Sequence, residues 1–245
     1  MMIKSASNYA PPEAGGSPPV FWSFRRCPYA MRARLALQSA GITVRLREIL
    51  LRDKPDVFLA TSPKGTVPVL DLGDGQIIEE SLEIMIWSLS CHDPEGWLDV
   101  TRRTPQASAA FLEQLDGPFK THLDRYKYAS RYDPKAAAFH RAEGASILAE
   151  FETMLASAAC LSGAACLSGT RPGLLDFASL PFVRQFRIAD PHWFDAQPWP
   201  NLHQWLQAFL DSERFTTVMD KYAPWQPEDD GVVFPVPMQA EGSAG

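Results

Sequence analysis

Short apolar runs alternate with stretches of helical spacing over residues 19–92, and after that the strand signal fades. VFWSF (20–24) is brief, aromatic and β-branched at its start, the pattern of a buried strand. Helical spacing follows. Ala30, Leu35, Leu37 and Ala40 share an inward face, which leaves Arg32, Arg34 and Gln38 on the other sides. Pro28 suits the first helical position, and Gly41 suits the position just past the last. ITVRLREIL (42–50) alternates apolar with charged residues and predicts a half-exposed strand. Together these three segments form a βαβ unit, right-handed by the general rule. KPDVFLA is a short helix with Pro55 at its start. TVPVLDL and QIIE flank the turn GDG (73–75) and read as an antiparallel hairpin. SLEIMIWSLS is apolar nearly all round, which marks a buried helix. The predicted order is βαβ-α-ββ-α.

The stretch CHDPEGWLDVTRRTP (91–105) interrupts the pattern with Pro and Gly. Beyond it, residues 106–130, 134–158, 172–188 and 201–219 carry helical spacing, so the second half is expected to be all-α. ACLSGAACLSG (159–169) nearly repeats six residues and reads as a small surface insertion. The predicted organisation is a flexible arm over 1–18, rich in Pro, Gly, Ala and Ser, and an α/β domain over 19–92. A linker over 93–105, an all-α domain over 106–225 and a loosely ordered tail over 226–245 follow.

Composition narrows the function. The chain has 245 residues, 46% apolar and 21% charged, with a formal net charge of −6, an ordinary globular balance. Four arginines, Arg25, Arg26, Arg32 and Arg34, form the one basic cluster. They suit a small anion better than a polyanion, so no nucleic-acid partner is expected. Neither the cysteines (Cys27, Cys91, Cys160, Cys166) nor the five histidines have metal-binding spacing, and no metal is expected. There is no apolar signal region and no run long enough to span a bilayer, so no membrane role is expected. A reducing cytoplasm with free thiols is the simplest compartment.

The chemistry concentrates at Cys27. A cysteine reacts as its thiolate; its free pKa is about 8.5, and a helix N-terminus or nearby cations lower it to roughly 3.5–7.5. Cys27 stands at the amide end of the predicted helix, preceded by Arg25 and Arg26, with Arg32 about one turn on. The plain alternative is a small buried apolar residue. Three positions on, where a redox pair needs its second cysteine, stands Ala30. A reactive Cys27 is therefore a single thiol that an external thiol must resolve, and glutathione is the cytosolic candidate.

Three further features suit that tripeptide. A cis Val67–Pro68 bond in TVPV would let the Val67 backbone pair with a short peptide; the alternative is a simple strand-start proline. In EES (79–81), Ser81 is a good helix cap and also a carboxylate site, and Glu80 can accept from an ammonium group. Lys54 either neutralises a second carboxylate or is simply solvated.

Taken together, FRRCPYAMRARLALQSAGI, KPDVFLATSPKGTVPVL and IIEESLEIMIWSL resemble the first domain of the cytosolic glutathione transferases, in particular the cysteine-dependent omega-like class, over about residues 19–90. GTRPGLLDFASLPFVRQF is similar, more loosely, to the family's central helix. There Asp176 is present but Gly173 takes the usual Ser or Thr cap position, which leaves that helix start less tightly fixed. The resemblance implies a thioredoxin-like α/β N-terminal domain (βαβ-α-ββ-α) followed by an all-α C-terminal helical bundle, with an acceptor pocket between the two domains and commonly a homodimer. It implies glutathione as co-substrate and a small-molecule acceptor. By matching positions it makes Cys27 the catalytic thiol and sets Lys54 on the glycyl carboxylate. Val67, with Pro68, would meet the cysteinyl backbone, and Glu80 and Ser81 the γ-glutamyl end. Arg25 and Arg26 would stabilise the thiolate. Tyr29, Tyr126, Tyr128 and Arg131 are candidates for the acceptor pocket, or ordinary packing and surface residues. The function implied is a glutathione-dependent thiol transferase or reductase acting through a Cys27–glutathione mixed disulfide. The alternatives are a transferase that conjugates glutathione to electrophiles, and a non-enzymatic glutathione-binding or regulatory protein.

Overall fold

Strand β1 (Val20–Ser23) pairs in parallel with β2 (Val44–Glu48), and α1 (Pro28–Ala40) connects them. The structure is a computed structural model and describes residues 9, 11, 16–73, 75–157 and 166–235. After α2 (Asp56–Thr61), β3 (Val69–Gly73) pairs antiparallel with β1, β4 (Gln76–Ile78) pairs antiparallel with β3, and α3 (Ser81–Cys91) follows. This is the expected βαβ-α-ββ-α order of a thioredoxin-like unit. Pro28 opens α1, and Gly41 closes it in the left-handed region at φ 65°. The Gly41 amide donates to Gln38 O and the Ile42 amide to Leu37 O, which satisfies two of the helix's last carbonyls.

The surroundings of α1 differ from the expectation. Arg32 and Arg34, assigned by spacing to its outer sides, are 2% and 0% exposed, and Gln38 is half-buried. Helix α1 packs against α3, and the residues after Thr217 cover another of its sides. Each of the three guanidinium nitrogens of Arg34 has an acceptor. Its Nη2 meets Glu48 Oε2 at 2.5 Å, Nε donates to Ser23 Oγ at 2.9 Å, and Nη1 donates to Val218 O at 3.1 Å. Burial pulls the Arg34 pKa below the ordinary arginine value, and Glu48 pulls it back up.

The expected tail differs too. Val232–Phe234 forms β5, antiparallel on β2 with Val44 opposite Phe234, and completes a five-stranded sheet in the order β4-β3-β1-β2-β5. Trp225 stands edge-on to Trp22 at 5.1 Å, and its amide donates to Glu48 O at 2.7 Å. The physical reason is the edge of β2. Without β5 its backbone groups would be open, and without Trp225 the apolar face around Trp22 and Phe58 would be wet. The described residues divide into two compact units, one of residues up to Pro94 together with those from Thr217 onward, the other Glu95–Thr216. The helical unit thus stops short of the expected boundary at 225. Residues 236–245 and most of the predicted arm lie outside the described residues.

The second unit is helical, as expected. It contains α4 (Asp99–Arg103), inside the predicted linker, then α5 (Pro105–Gln114), α6 (Lys120–Lys127) and α7 (Ala137–Ser157). These are followed by α8 (Leu174–Ala189), α9 (Pro191–Asp195) and α10 (Pro200–Leu210), and the chain leaves through α11 (Glu213–Val218). Pro118, which has no amide to donate, lies within a wider π turn over Leu115–Phe119 that joins α5 to α6, so helical backbone runs unbroken over 105–127, within the predicted 106–130 stretch but for its first residue. Phe111, Phe119, Phe151 and Phe186 form the core stack. Gly144 lets α7 approach Phe186; a Cβ there would stand 2.5 Å from the ring.

The start of α8 is held more tightly than Gly173 suggests. Asp176 accepts four hydrogen bonds, from the Leu167 amide (2.7 Å) and Trp205 Nε1 (2.9 Å) on Oδ1, and from the Ser168 and Gly173 amides (3.0 Å each) on Oδ2. Burial pushes the Asp176 carboxyl pKa up and these donors draw it down. The missing capping hydroxyl comes from Ser168. Its Oγ accepts from the Leu175 amide at 3.2 Å and lies 3.0 Å from where a Gly173 Cβ would be. Cys166, Leu167 and Ser168 are buried, so the second copy of the six-residue repeat is part of the helix's foundation rather than a surface insertion. The first copy lies outside the described residues.

Candidate active site

Cys27 occupies the N-cap of α1 with extended backbone (φ −77°, ψ 122°), and Pro28 takes the first helical position. Its amide donates to Phe24 O at 2.9 Å, and its carbonyl accepts from Met31 at 2.9 Å, so the backbone is fixed on both sides. The Cys27 side chain makes no capping hydrogen bond to the first-turn amides, but it lies at the helix end where the dipole favours an anion. The thiol is half-exposed and packs against the cluster of Trp22, Ile49, Phe58, Val67, Val69 and Trp225. Ala30, where a partner cysteine would stand, is fully buried.

Val67–Pro68 is cis. The Val67 carbonyl faces the thiol, with Cys27 Sγ donating to it at 3.7 Å. Cys27, Val67 and Pro68 are therefore brought together. Lys54 is half-buried beside the same loop, its Nζ 3.5 Å from where a Cβ on Gly65 would be. Gly65 has φ 63°, which a glycine adopts without strain.

At the start of α3 the N-cap is Glu80, and Ser81 is the first helical residue. Ser81 therefore does not cap the helix with its side chain as expected. Instead its Oγ accepts from Arg32 Nε at 2.9 Å, and both residues are buried. Glu80 pairs with Lys64 at the surface, and Glu79 accepts from Ser62 Oγ at 2.5 Å. Arg32 also lies over the Tyr29 ring at 5.1 Å.

The two arginines before Cys27 have definite contacts. The Arg25 amide donates to Glu48 Oε1 at 2.6 Å, and its Nη1 donates to Met219 O at 3.3 Å. Arg26 is exposed and lies over Phe24 at 5.2 Å. Tyr29 is in the same unit as Cys27. Tyr126, Tyr128 and Arg131 belong to the helical unit. There Arg131 stacks on Tyr128 at 4.7 Å, and burial raises the Tyr126 pKa.

Sequence reasoning did not single out Arg32 as a partner of Ser81, or Lys64 as a partner of Glu80. For Lys64 the sequence holds no signal. For Arg34 and Glu48 it does: the period of two that turns Val44 and Leu46 inward continues to Glu48, and a carboxylate on a buried face requires a cation.

Among the described residues, no group of three or more His, Cys, Asp or Glu could hold a metal ion, and no helix is long and apolar enough to cross a membrane.

A family model for the glutathione S-transferase N-terminal domain matches residues 21–95, and one for the C-terminal domain matches residues 120–208. The glutathione S-transferase omega-1 of Sus scrofa is 43% identical over 60 residues, 24% of this chain and 25% of that protein. A probable glutathione transferase of Aplysia californica is 47% identical over 58 residues, 24% of this chain and 62% of that protein. The alignment spans about a quarter of the length of the omega-1 relative. Glutathione transferase Omega 3C from Trametes versicolor shares the fold, with a TM-score of 0.67 at 18% identity, covering 90% of this chain and 95% of that one. With both domain models matched in order on a thioredoxin-like unit followed by a helical one, this chain belongs to the glutathione S-transferase family and resembles its omega class.

Proposed function

We propose that this protein is a glutathione-dependent thiol transferase working through one cysteine. The observation that carries the reading is Cys27 at the N-cap of α1, against the carbonyl of a cis Val67–Pro68 bond, with buried Ala30 where a second thiol would stand. An N-cap thiol favours the thiolate, and with Ala30 where the neighbouring thiol of a redox pair would stand, the resolving step is left to glutathione.

The Cys27 thiolate attacks the glutathionyl sulfur of a mixed disulfide. The new Cys27–glutathione disulfide forms as the old S–S bond breaks, and the other thiol leaves as its thiolate. A second glutathione thiolate then attacks the glutathionyl sulfur on the enzyme. Oxidised glutathione leaves and the Cys27 thiolate is restored, so each turnover converts one mixed disulfide and one glutathione into the free acceptor thiol and oxidised glutathione. Lys54 neutralises the glycyl carboxylate, the Val67 backbone pairs with the cysteinyl residue beside Pro68, and Glu80 and Ser81 hold the γ-glutamyl end. Arg25 and Arg26 add positive potential near the sulfur. Tyr29, Tyr126, Tyr128 and Arg131 are assigned to the acceptor. Homodimerisation and a cytoplasmic setting accompany this reading; a light-scattering mass of one chain would remove the first.

Intact mass after incubation with oxidised glutathione tests the mechanism. One glutathionyl group is expected on the wild-type protein and none on Cys27→Ser, which also loses disulfide reduction. Disulfide reduction retained by Cys27→Ser would overturn it. Loss of disulfide reduction with steady turnover of an aryl halide by that variant would point to conjugation instead.

A further inference from the structure

We propose that Arg32 is a positioning residue for the α-carboxylate of the γ-glutamyl group: it holds the Ser81 oxygen so that the hydroxyl proton is aimed at that carboxylate. This inference rests on the glutathione reading above and adds a residue to its binding end.

A serine hydroxyl has one proton to give and lone pairs that accept. The Ser81 oxygen accepts from Arg32 Nε at 2.9 Å, a bond donated by a cation. Ser81 is 2% exposed, and among the described residues nothing accepts its own proton. A buried hydroxyl oriented in this way is a donor awaiting an acceptor, and the guanidinium on its oxygen makes it a stronger one.

The location defines the acceptor. Ser81 is the first residue of α3, so the open amides of that turn point the same way and the helix dipole adds to the positive potential. A carboxylate has the four lone-pair sites to take the hydroxyl and backbone amides together. Glu80, next in the chain, is 44% exposed, so the rim of this turn opens to solvent, and its own carboxylate suits the ammonium group on the same carbon. Tyr29 covers the guanidinium from the α1 side.

A purely structural Arg32, clamping α1 to α3, would support every ligand equally. A positioning Arg32 acts only on the carboxylate. The test is therefore a cycle of two proteins and two ligands, S-methylglutathione and its analogue S-methyl-(4-aminobutanoyl)cysteinylglycine, which lacks only the γ-glutamyl carboxylate. Binding is measured by calorimetry on the full chain. Arg32→Met is expected to weaken S-methylglutathione about tenfold, the worth of one hydrogen bond to a charged group, and to leave the analogue within about twofold. Ser81→Ala, which keeps the arginine, should show the same selectivity and serves where Arg32→Met does not fold. Equal loss for both ligands, or no loss for S-methylglutathione, would overturn the role of Arg32 and leave the glutathione reading intact. A wild-type protein that binds neither ligand would overturn that reading and this one with it.

Discussion

Replacing Asp176 by asparagine separates a shape requirement from a charge requirement at the start of α8. The side chain keeps its size, yet one of its two oxygens becomes an NH2 group. Oδ1 faces the Leu167 amide and the Trp205 indole, and Oδ2 faces the Ser168 and Gly173 amides. Whichever way the new amide turns, two donors meet a donor. Each buried donor left without an acceptor costs about 1–3 kcal/mol, and removing a buried charge returns part of that sum. The net destabilisation is expected at about 2–4 kcal/mol, a large share of the ~5–15 kcal/mol that stabilises a typical protein. Urea unfolding followed by far-ultraviolet circular dichroism measures it, and amide exchange at Leu167, Ser168 and Gly173 locates it. Ser168→Ala removes the hydroxyl that accepts from the Leu175 amide and also serves the Asp176 carboxylate, and is expected to cost about 1 kcal/mol. An Asp176→Asn protein within about 0.5 kcal/mol of wild type, the scatter of ordinary surface substitutions, would refute the four-donor account.

Three further outcomes follow from the packing. Glu48→Met leaves the Arg34 guanidinium buried without its carboxylate and should cost about 3–5 kcal/mol, whereas Arg34→Met/Glu48→Met together should cost far less; denaturant midpoints of the three variants decide this. Trp225→Ala uncovers Trp22 and should destabilise the thioredoxin-like unit by about 3–5 kcal/mol, with the remaining tryptophan emission shifted to longer wavelength. His122 and His140 meet through their Nδ1 atoms at 3.0 Å, a contact that needs one ring neutral, and burial first, then His122, lowers the His140 pKa from 6.5. A lowered histidine pKa means that its stability contribution is present above the unfolded value and is lost as pH falls through the folded one. Melting temperature should therefore drop below about pH 6.5, and His140→Gln should flatten that drop.

The order of elements was legible because their periods differ sharply: short apolar runs for β1 and β3, near-continuous apolar positions for α3, and Pro28 and Gly41 as punctuation for α1. The two buried arginines were not, because spacing on one helix says which residues share a face and not how many faces are covered. Helix α1 is covered by α3 and by residues beyond Thr217, and no local window contains that return. The same distance hid β5, a three-residue run far from the strand it pairs with. Local pattern therefore located Cys27, the Val67–Pro68 turn and the start of α3, while the partners that hold them came from remote chain. Ser81 shows the consequence most clearly. Read locally it is a helix cap; in the fold Glu80 takes the cap position, and the Ser81 hydroxyl oxygen accepts from an arginine 49 positions earlier. A site residue's type can be read from its neighbours in sequence, but the direction in which it donates is set by whatever the fold brings to its other side.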